Sequence, residues 1–387
     1  YDQLSVKMAF EYGDNSTKIT DTTGNYVSYQ FDDTGKTISI RDDEGNVIIR
    51  KSIGAEVIGM TVCPCAQESV RESDKNKLLE FLDEETTQKV LDTVTVASHN
   101  QRGIGTLLIE VPEGWLHPLV DWMDSHPECG ACAPKLHSWQ ERDMFEYAGA
   151  AGGYLDRFGY PFCRGRVLKR LEKDSGQYDS PADVLWATGA CLMVRSSVYR
   201  KLGGLDERFF AHMEEIDLCW RMQLEGYKVT VIPDSVVYHV GGGTLPATSP
   251  FKLFLNYRNN LLMLENNLAK TFALKNLKSG KPAGKAAARG LAQARWRIFQ
   301  RKCLDWLSAG VYLATLKTDC FKAVWKAYME YGKLRQTPDI NDIKAYLSLH
   351  GQDAGVSGIY GKWIILTSML KGKDVFRSIK EKDFYNI

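Results

Sequence analysis

The sequence predicts a mixed α/β chain in four successive stretches: a short β-rich start, a small α/β fragment, a partial α/β core and a helical tail. Three observations carry this. Asp/Gly/Asn turn clusters separate short alternating strands over the first fifty residues. A strand, turn, carboxylate cluster, helix and second strand follow one another between 191 and 232, and helical spacing dominates after Phe251. The expected boundaries are 1–50, 51–113, 114–250 and 251–387, in a chain of 387 residues whose length strains a single-domain reading.

In the first stretch Phe10 with Asp21-Thr-Thr-Gly-Asn25, and Phe31 with Asp42-Asp-Glu-Gly-Asn46, recur at a spacing of 21 residues. The strands over 37–40 and 47–49 alternate as half-buried strands do. The pattern resembles two YD repeats, units that depend on neighbours to bury a core. An ordinary pair of β-hairpins with type I turns fits equally.

The second stretch holds Ile58-Gly-Met-Thr-Val-Cys-Pro-Cys-Ala-Gln67 and Val96-Ala-Ser-His-Asn-Gln-Arg-Gly103. These resemble the archaeal-type, Fe(II)-dependent GTP cyclohydrolases. The resemblance implies that Cys63 or Cys65, with His99, helps bind the iron that activates water for attack on the purine ring. The match is short, and the family's further acidic and histidine ligands lie beyond the point where the chain changes character. A thiol near a histidine is also a common core arrangement, so adventitious metal binding stays open.

The third stretch is the richest in chemistry. Glu214, Glu215 and Asp217 are packed into four residues among aromatic and apolar neighbours, where repulsion and burial push pKa values apart as acid/base work requires. The alternative is an N-terminal capping cluster, with Glu214 and Asp217 at the helix start. His239 follows an apolar strand and precedes Gly241-Gly-Gly243, a place where an imidazole reaches a metal or diphosphate and glycines let backbone approach a ligand. Gly189-Ala190 makes room for a sugar, or serves tight strand packing.

With Trp186-Ala-Thr-Gly-Ala-Cys-Leu-Met-Val-Arg195 and Gly203-Gly-Leu-Asp-Glu-Arg-Phe-Phe210, these residues resemble the acceptor half of the family 2 glycosyltransferases, in the rhamnosyltransferase-like branch, from about Glu110 onward. The resemblance implies a GT-A fold, here a partial GT-A core with a helical C-terminal tail. It also implies inverting transfer from a nucleotide sugar with Mg or Mn to an envelope polysaccharide or lipid-linked acceptor. Glu215 takes the position of the family's base, glutamate for aspartate, while Glu110, Gly189 and Ala190 are the expected cofactor contacts and His239 a metal contact. Two departures stand against activity. Leu108 occupies the place of the metal-binding aspartate and has no oxygen to offer a hard cation, and residues 1–105 do not read as a nucleotide-binding βαβ unit. The chain is therefore either a glycosyltransferase, an inactive one with an incomplete donor and metal site, or, as the alternative, metal-dependent GTP cyclohydrolase-like or a non-catalytic composite of partial families.

The net charge of +1 and the mixed composition suggest no nucleic-acid partner. From Lys270 to Lys302 there is no Asp or Glu, and Gly280, Pro282 and Gly284 interrupt the first part. Such a run suits an anionic membrane surface or a solvated face. The stretch 304–316 is broken by Asp305 and is too short to span a bilayer, so it reads as an amphipathic or core helix. Phe254, Tyr257, Leu261, Leu264 and Leu268 share one helical face; Phe321, Trp325, Tyr328 and Tyr331 share another, read as ordinary helix packing. Nine scattered cysteines argue for a reducing compartment, and Cys129-Gly-Ala-Cys132, though spaced like a redox motif, is read as structural. No signal peptide is visible, and a processed or truncated start stays open because the chain begins at Tyr1. The expected location is cytoplasmic, peripheral on the inner face of the membrane.

Overall fold

The computed structural model describes the backbone of seven short strands between residues 9 and 110. It describes residues 112–387 with their side chains, apart from 113, 210–211, 240–248, 352 and 386. Strands β1 (Ala9–Gly13), β2 (Ser16–Thr20), β3 (Tyr26–Phe31), β4 (Thr37–Arg41) and β5 (Val47–Ile49) form an antiparallel meander in sequence order. The two turn clusters of the sequence fall in the β2–β3 and β4–β5 connections. The 21-residue period thus spans two strands with the connections that follow them.

Two strands upstream of the core join it: β6 (Val57–Ile58) and β7 (Ile109–Glu110). Next come α1 (His117–Ser125), β8 (Cys129–Ser138), β9 (Gly153–Asp156), β10 (Pro161–Cys163), β11 (Arg166–Val167), β12 (Arg170–Leu171) and β13 (Ala182–Asp183). β14 (Met193–Arg195), α2 (Ser196–Lys201), α3 (Glu214–Leu224) and β15 (Lys228–His239) complete the core. The core sheet runs β13-β15-β8-β14-β6, with β15 and β8 parallel and the other pairs antiparallel, and β7 pairs with the far end of β15.

Strand β8 is buried along nearly its whole length because both faces are covered. On one side Leu119 and Met123 of α1 meet Cys132, Leu136, Ile232 and Val237. On the other Leu218, Trp220 and Met222 of α3 meet Ala131, Ala133, Val229 and Val231. The small residues of Cys-Gly-Ala-Cys are what lets this happen, since a Cβ on Gly130 would meet Tyr227 Cβ at 2.9 Å. Strand β15 runs seven residues further than the expected 228–232. A register shift between Ile232 and Val236 absorbs Pro233, and pairing with β8 then resumes as far as His239.

The tail is helical as expected: α4 (Pro250–Lys278), α5 (Ala283–Ala314), α6 (Thr318–Leu334) and α7 (Ile340–His350). Phe254, Leu261, Leu264 and Leu268 are buried. Gly290 of α5 lets the backbones of α4 and α5 touch, since its Cβ would fall 2.5 Å from the Ala273 amide. The helix break comes at 279–282; Gly284 lies inside the first turn of α5 and breaks nothing. After β16 (Ile359–Tyr360), α8 (Ile364–Lys371) and β17 (Phe384–Tyr385), the chain has added two strands to a second sheet, β12-β11-β10-β9-β16-β17. Among the described residues no helix is long and apolar enough to cross a membrane.

Candidate functional site

The head of α3 is built under strain. His212 (φ 67°) and Met213 (φ 75°) are consecutive non-glycine residues in the left-handed region, immediately before Glu214. Helix α4 holds them there. Asn259 Nδ2 donates to the carbonyls of Phe209 (2.9 Å) and His212 (2.7 Å), and Arg258 Nη2 donates to Phe209 (2.8 Å). Met213, the cap residue, offers no side-chain hydrogen bond, and the Glu215 carboxylate draws on the backbone amides of Glu215 and Ile216 at the helix head as well as on that of Gly189.

Glu214 and Glu215 each keep some surface at solvent, but the Oε2 of each is sealed from it and has no hydrogen-bond partner. Burial, reinforced by the charge of Glu214, pushes Glu215 up to about 8, against the pull of backbone amides including that of Gly189. Burial also raises Glu214. Gly189 is an exposed residue in the turn before β14, and a Cβ added there would lie 3.6 Å from Glu215 Cγ. Ala190 follows it, its amide donating to Thr188 Oγ1 at 3.2 Å. The structure therefore brings Glu215, beside Glu214 at the head of α3, against the turn at Gly189, while Ala190 packs against the cluster of Trp115, Leu119 and Cys191.

Asp217 is placed otherwise. It is fully buried and accepts from Arg221 Nε (2.7 Å), Asn266 Nδ2 (3.0 Å) and Asn267 Nδ2 (2.8 Å). Arg221 in turn donates to the carbonyls of Leu202 (2.9 Å) and Gly204 (2.8 Å). Both carboxylate oxygens of Asp217 are committed to tying α3 to α4 and to the Gly203-Gly204 turn.

A second corner lies at the end of β15. His239 is buried with Nδ1 3.3 Å from Glu146 Oε2, and neither of its ring nitrogens has a hydrogen-bond partner. Glu146 is itself buried, and its Oε2 accepts from the Ala148 amide. The β7–β15 register sets Ile109 opposite His239 and Glu110 opposite Tyr238. Leu108, outside the described residues, directly precedes that pair. An imidazole and a carboxylate are donors suited to a divalent transition metal. They are two donors; among the described residues no group of three or more His, Cys, Asp or Glu could hold a metal. Cys63, Cys65 and His99 lie outside the described residues.

Cys163 links the two corners. Its thiol is pushed up by burial and further by the charges of Glu146 and Glu215, against Arg166, whose Nη2 lies 3.3 Å from the sulfur. The sequence reading passed over Glu146, Arg166 and His212. Burial, then Lys252, lowers His212 to about 4, so it is neutral at physiological pH. An acid between two aromatics, Phe145-Glu146-Tyr147, was the available signal for Glu146.

Residues 110–254 match the profile described as Glycosyl transferase family group 2. That stretch is similar to the family 2 glycosyltransferases. Residues 2–148 match a different profile, Type I GTP cyclohydrolase folE2, so two families meet in one chain and overlap between 110 and 148. Among curated proteins the chain is similar to GTP cyclohydrolase MptA of Methanobrevibacter smithii, 85% identical over 78 residues, which is 20% of this chain and 25% of that protein. The counterpart in Methanosphaera stadtmanae is 76% identical over 78 residues, with the same shares covered. The chain thus spans about a quarter of the length of these relatives. Among solved structures it is similar to GalNAc-T7 with UDP, GalNAc and Mn2+, at 16% identity and a TM-score of 0.32, covering 60% of this chain and 46% of that one. The stretch that matches the glycosyltransferase family includes the head of α3, the Gly189 turn, Glu146 and His239.

Proposed function

We propose that the glycosyltransferase domain transfers a sugar, with inversion, from a nucleotide sugar to an envelope glycan or lipid-linked acceptor, with Glu215 as general base. The supporting observation is a carboxylate whose pKa burial and Glu214 raise to about 8, facing the open turn at Gly189. In this reading Glu215 takes the proton of the acceptor hydroxyl as its oxygen attacks the anomeric carbon. The bond to the diphosphate breaks, and the nucleoside diphosphate leaves. Gly189 and Ala190 give the sugar room, Glu110 lies on the donor side, and Asp217 positions α3. A divalent cation, Mg2+ or Mn2+, would be held by His239 and Glu146 and would neutralise charge on the diphosphate. With two donors and leucine at 108, no step is routed through it. A cytoplasmic site, peripheral to the inner membrane face, belongs to the same proposal.

Release of nucleoside diphosphate from a panel of sugar nucleotides, with Mn2+ or Mg2+, tests it. Wild type is expected to turn over at least one donor and Glu215→Gln to be silent; equal rates for the two would end the reading. Calorimetry with UDP and GDP adds a binding readout.

The identity to the cyclohydrolases favours a second reading, in which Cys63, Cys65 and His99 bind Fe(II) and the chain is a composite without turnover. Anaerobic incubation with Fe(II) and GTP separates the cases. Loss of GTP would mean a working cyclohydrolase, and iron uptake without GTP loss a residual metal site.

A further inference from the structure

We propose that the hairpin of α5 and α6 docks on an anionic lipid surface. Helix α5 turns Ala286, Ala287, Gly290, Ala294 and Ala309 inward. The opposite side carries Trp296, Phe299 and Leu307 at helical spacing, exposed by 59%, 55% and 66%. Trp296 and Phe299 stack at 5.4 Å. Trp306 packs edge-on against Trp325 of α6 at 5.8 Å, so the two helices share one apolar face, which Met329 extends by a turn. Large side chains on this scale are rarely left in water without a use.

Charge decides the occupant. Lys285 and Arg289 are exposed on the same stripe, eleven and seven residues ahead of Trp296, and exposed Lys322 and Lys326 flank Trp325. The three acids of the two helices are all paired: Asp305 with Arg301 (2.8 Å), Glu330 with Arg258 (3.0 Å) and Asp319 with Lys322 (3.5 Å). An aromatic face with a basic border fits the headgroup layer of an anionic membrane, where tryptophan sits at the interface and each cation gains from the surface potential. A two-fold pairing of the same face with a second copy would bring this basic border toward itself. The inference deepens the membrane-face location in the proposed function and uses none of the residues at the head of α3, so flotation can fail while sugar transfer stands, and the reverse.

Flotation of the full chain with phosphatidylcholine vesicles, and with vesicles containing about a third phosphatidylglycerol, tests it. Partition is expected to be at least about tenfold stronger on the anionic vesicles. Lys285→Glu with Arg289→Glu is expected to remove most of that preference. Trp296→Ser with Phe299→Ser and Leu307→Ser is expected to abolish binding, at an unchanged melting temperature because all three positions are solvent-facing. Failure of the wild type to float, equal partition on both vesicles, or flotation of the triple variant would overturn the proposal. So would a dimer in sedimentation that the triple variant dissociates, which would assign the face to a second copy.

Discussion

Gly189 stands opposite Glu215, so close that a single added carbon would touch the glutamate side chain at 3.6 Å. That contact is ordinary van der Waals distance, so alanine fits, while a longer side chain would cover the carboxylate. Gly189→Ala is expected to retain transfer, and Gly189→Leu to lower kcat/KM by about a hundredfold. Thermal melting checks that both variants remain folded, as an exposed turn residue implies.

Glu215 gives a pH signature. Its pKa is raised in the folded chain, so the neutral form is the one the fold favours. The stability this contributes is complete below the ordinary carboxylate value of 4.5 and is lost as pH rises through about 8. Glutamine is neutral throughout. Glu215→Gln is therefore expected to match wild type near pH 4 and to exceed it by roughly 1–3 kcal/mol near pH 9, measured by urea unfolding at each pH. Wild-type activity should rise over the same interval as the base ionises.

Removing Asp217 leaves Arg221, Asn266 and Asn267 facing an empty buried site. Asp217→Ala is expected to destabilise by about 3–5 kcal/mol in chemical denaturation. A loss under 1 kcal/mol would contradict the tie between α3 and α4.

The thiols of Cys129 and Cys132 are buried and unpaired, and burial raises the pKa of both. Thiolate is the reactive form. A thiol reagent is expected to label exposed Cys303 promptly and to reach Cys129 and Cys132 only after unfolding; fast labelling of either would refute the buried placement.

The sequence made the helix start at Glu214 legible because three carboxylates and a change from period two to helical spacing coincide there. It hid the role of Asp217, whose amide partners lie about fifty residues on, and that of Glu146, which meets His239 only once β8 and β15 align. The sequence ends the second strand at Ile232, whereas the register shift at 232–236 carries β15 past Pro233, which gives the ladder no donor, as far as His239. Trp325 was grouped with Tyr331 on one packed face. The buried face of α6 is centred on Val324, Ala327 and Tyr331, and Trp325 falls outside it.

The pairing of β6 with β14 has a practical meaning for anyone trimming the chain. Val57 and Ile58, upstream of the stretch that matches the glycosyltransferase family, cover the outer rim of the core sheet. Cutting the protein where the glycosyltransferase match begins would strip that cover and leave the outer edge of Val194 and Arg195 unpaired, while β8 still pairs with Met193 and Val194 on the inner side. The shortened molecule should then stick rim to rim, so a soluble version has to carry its foreign strand along.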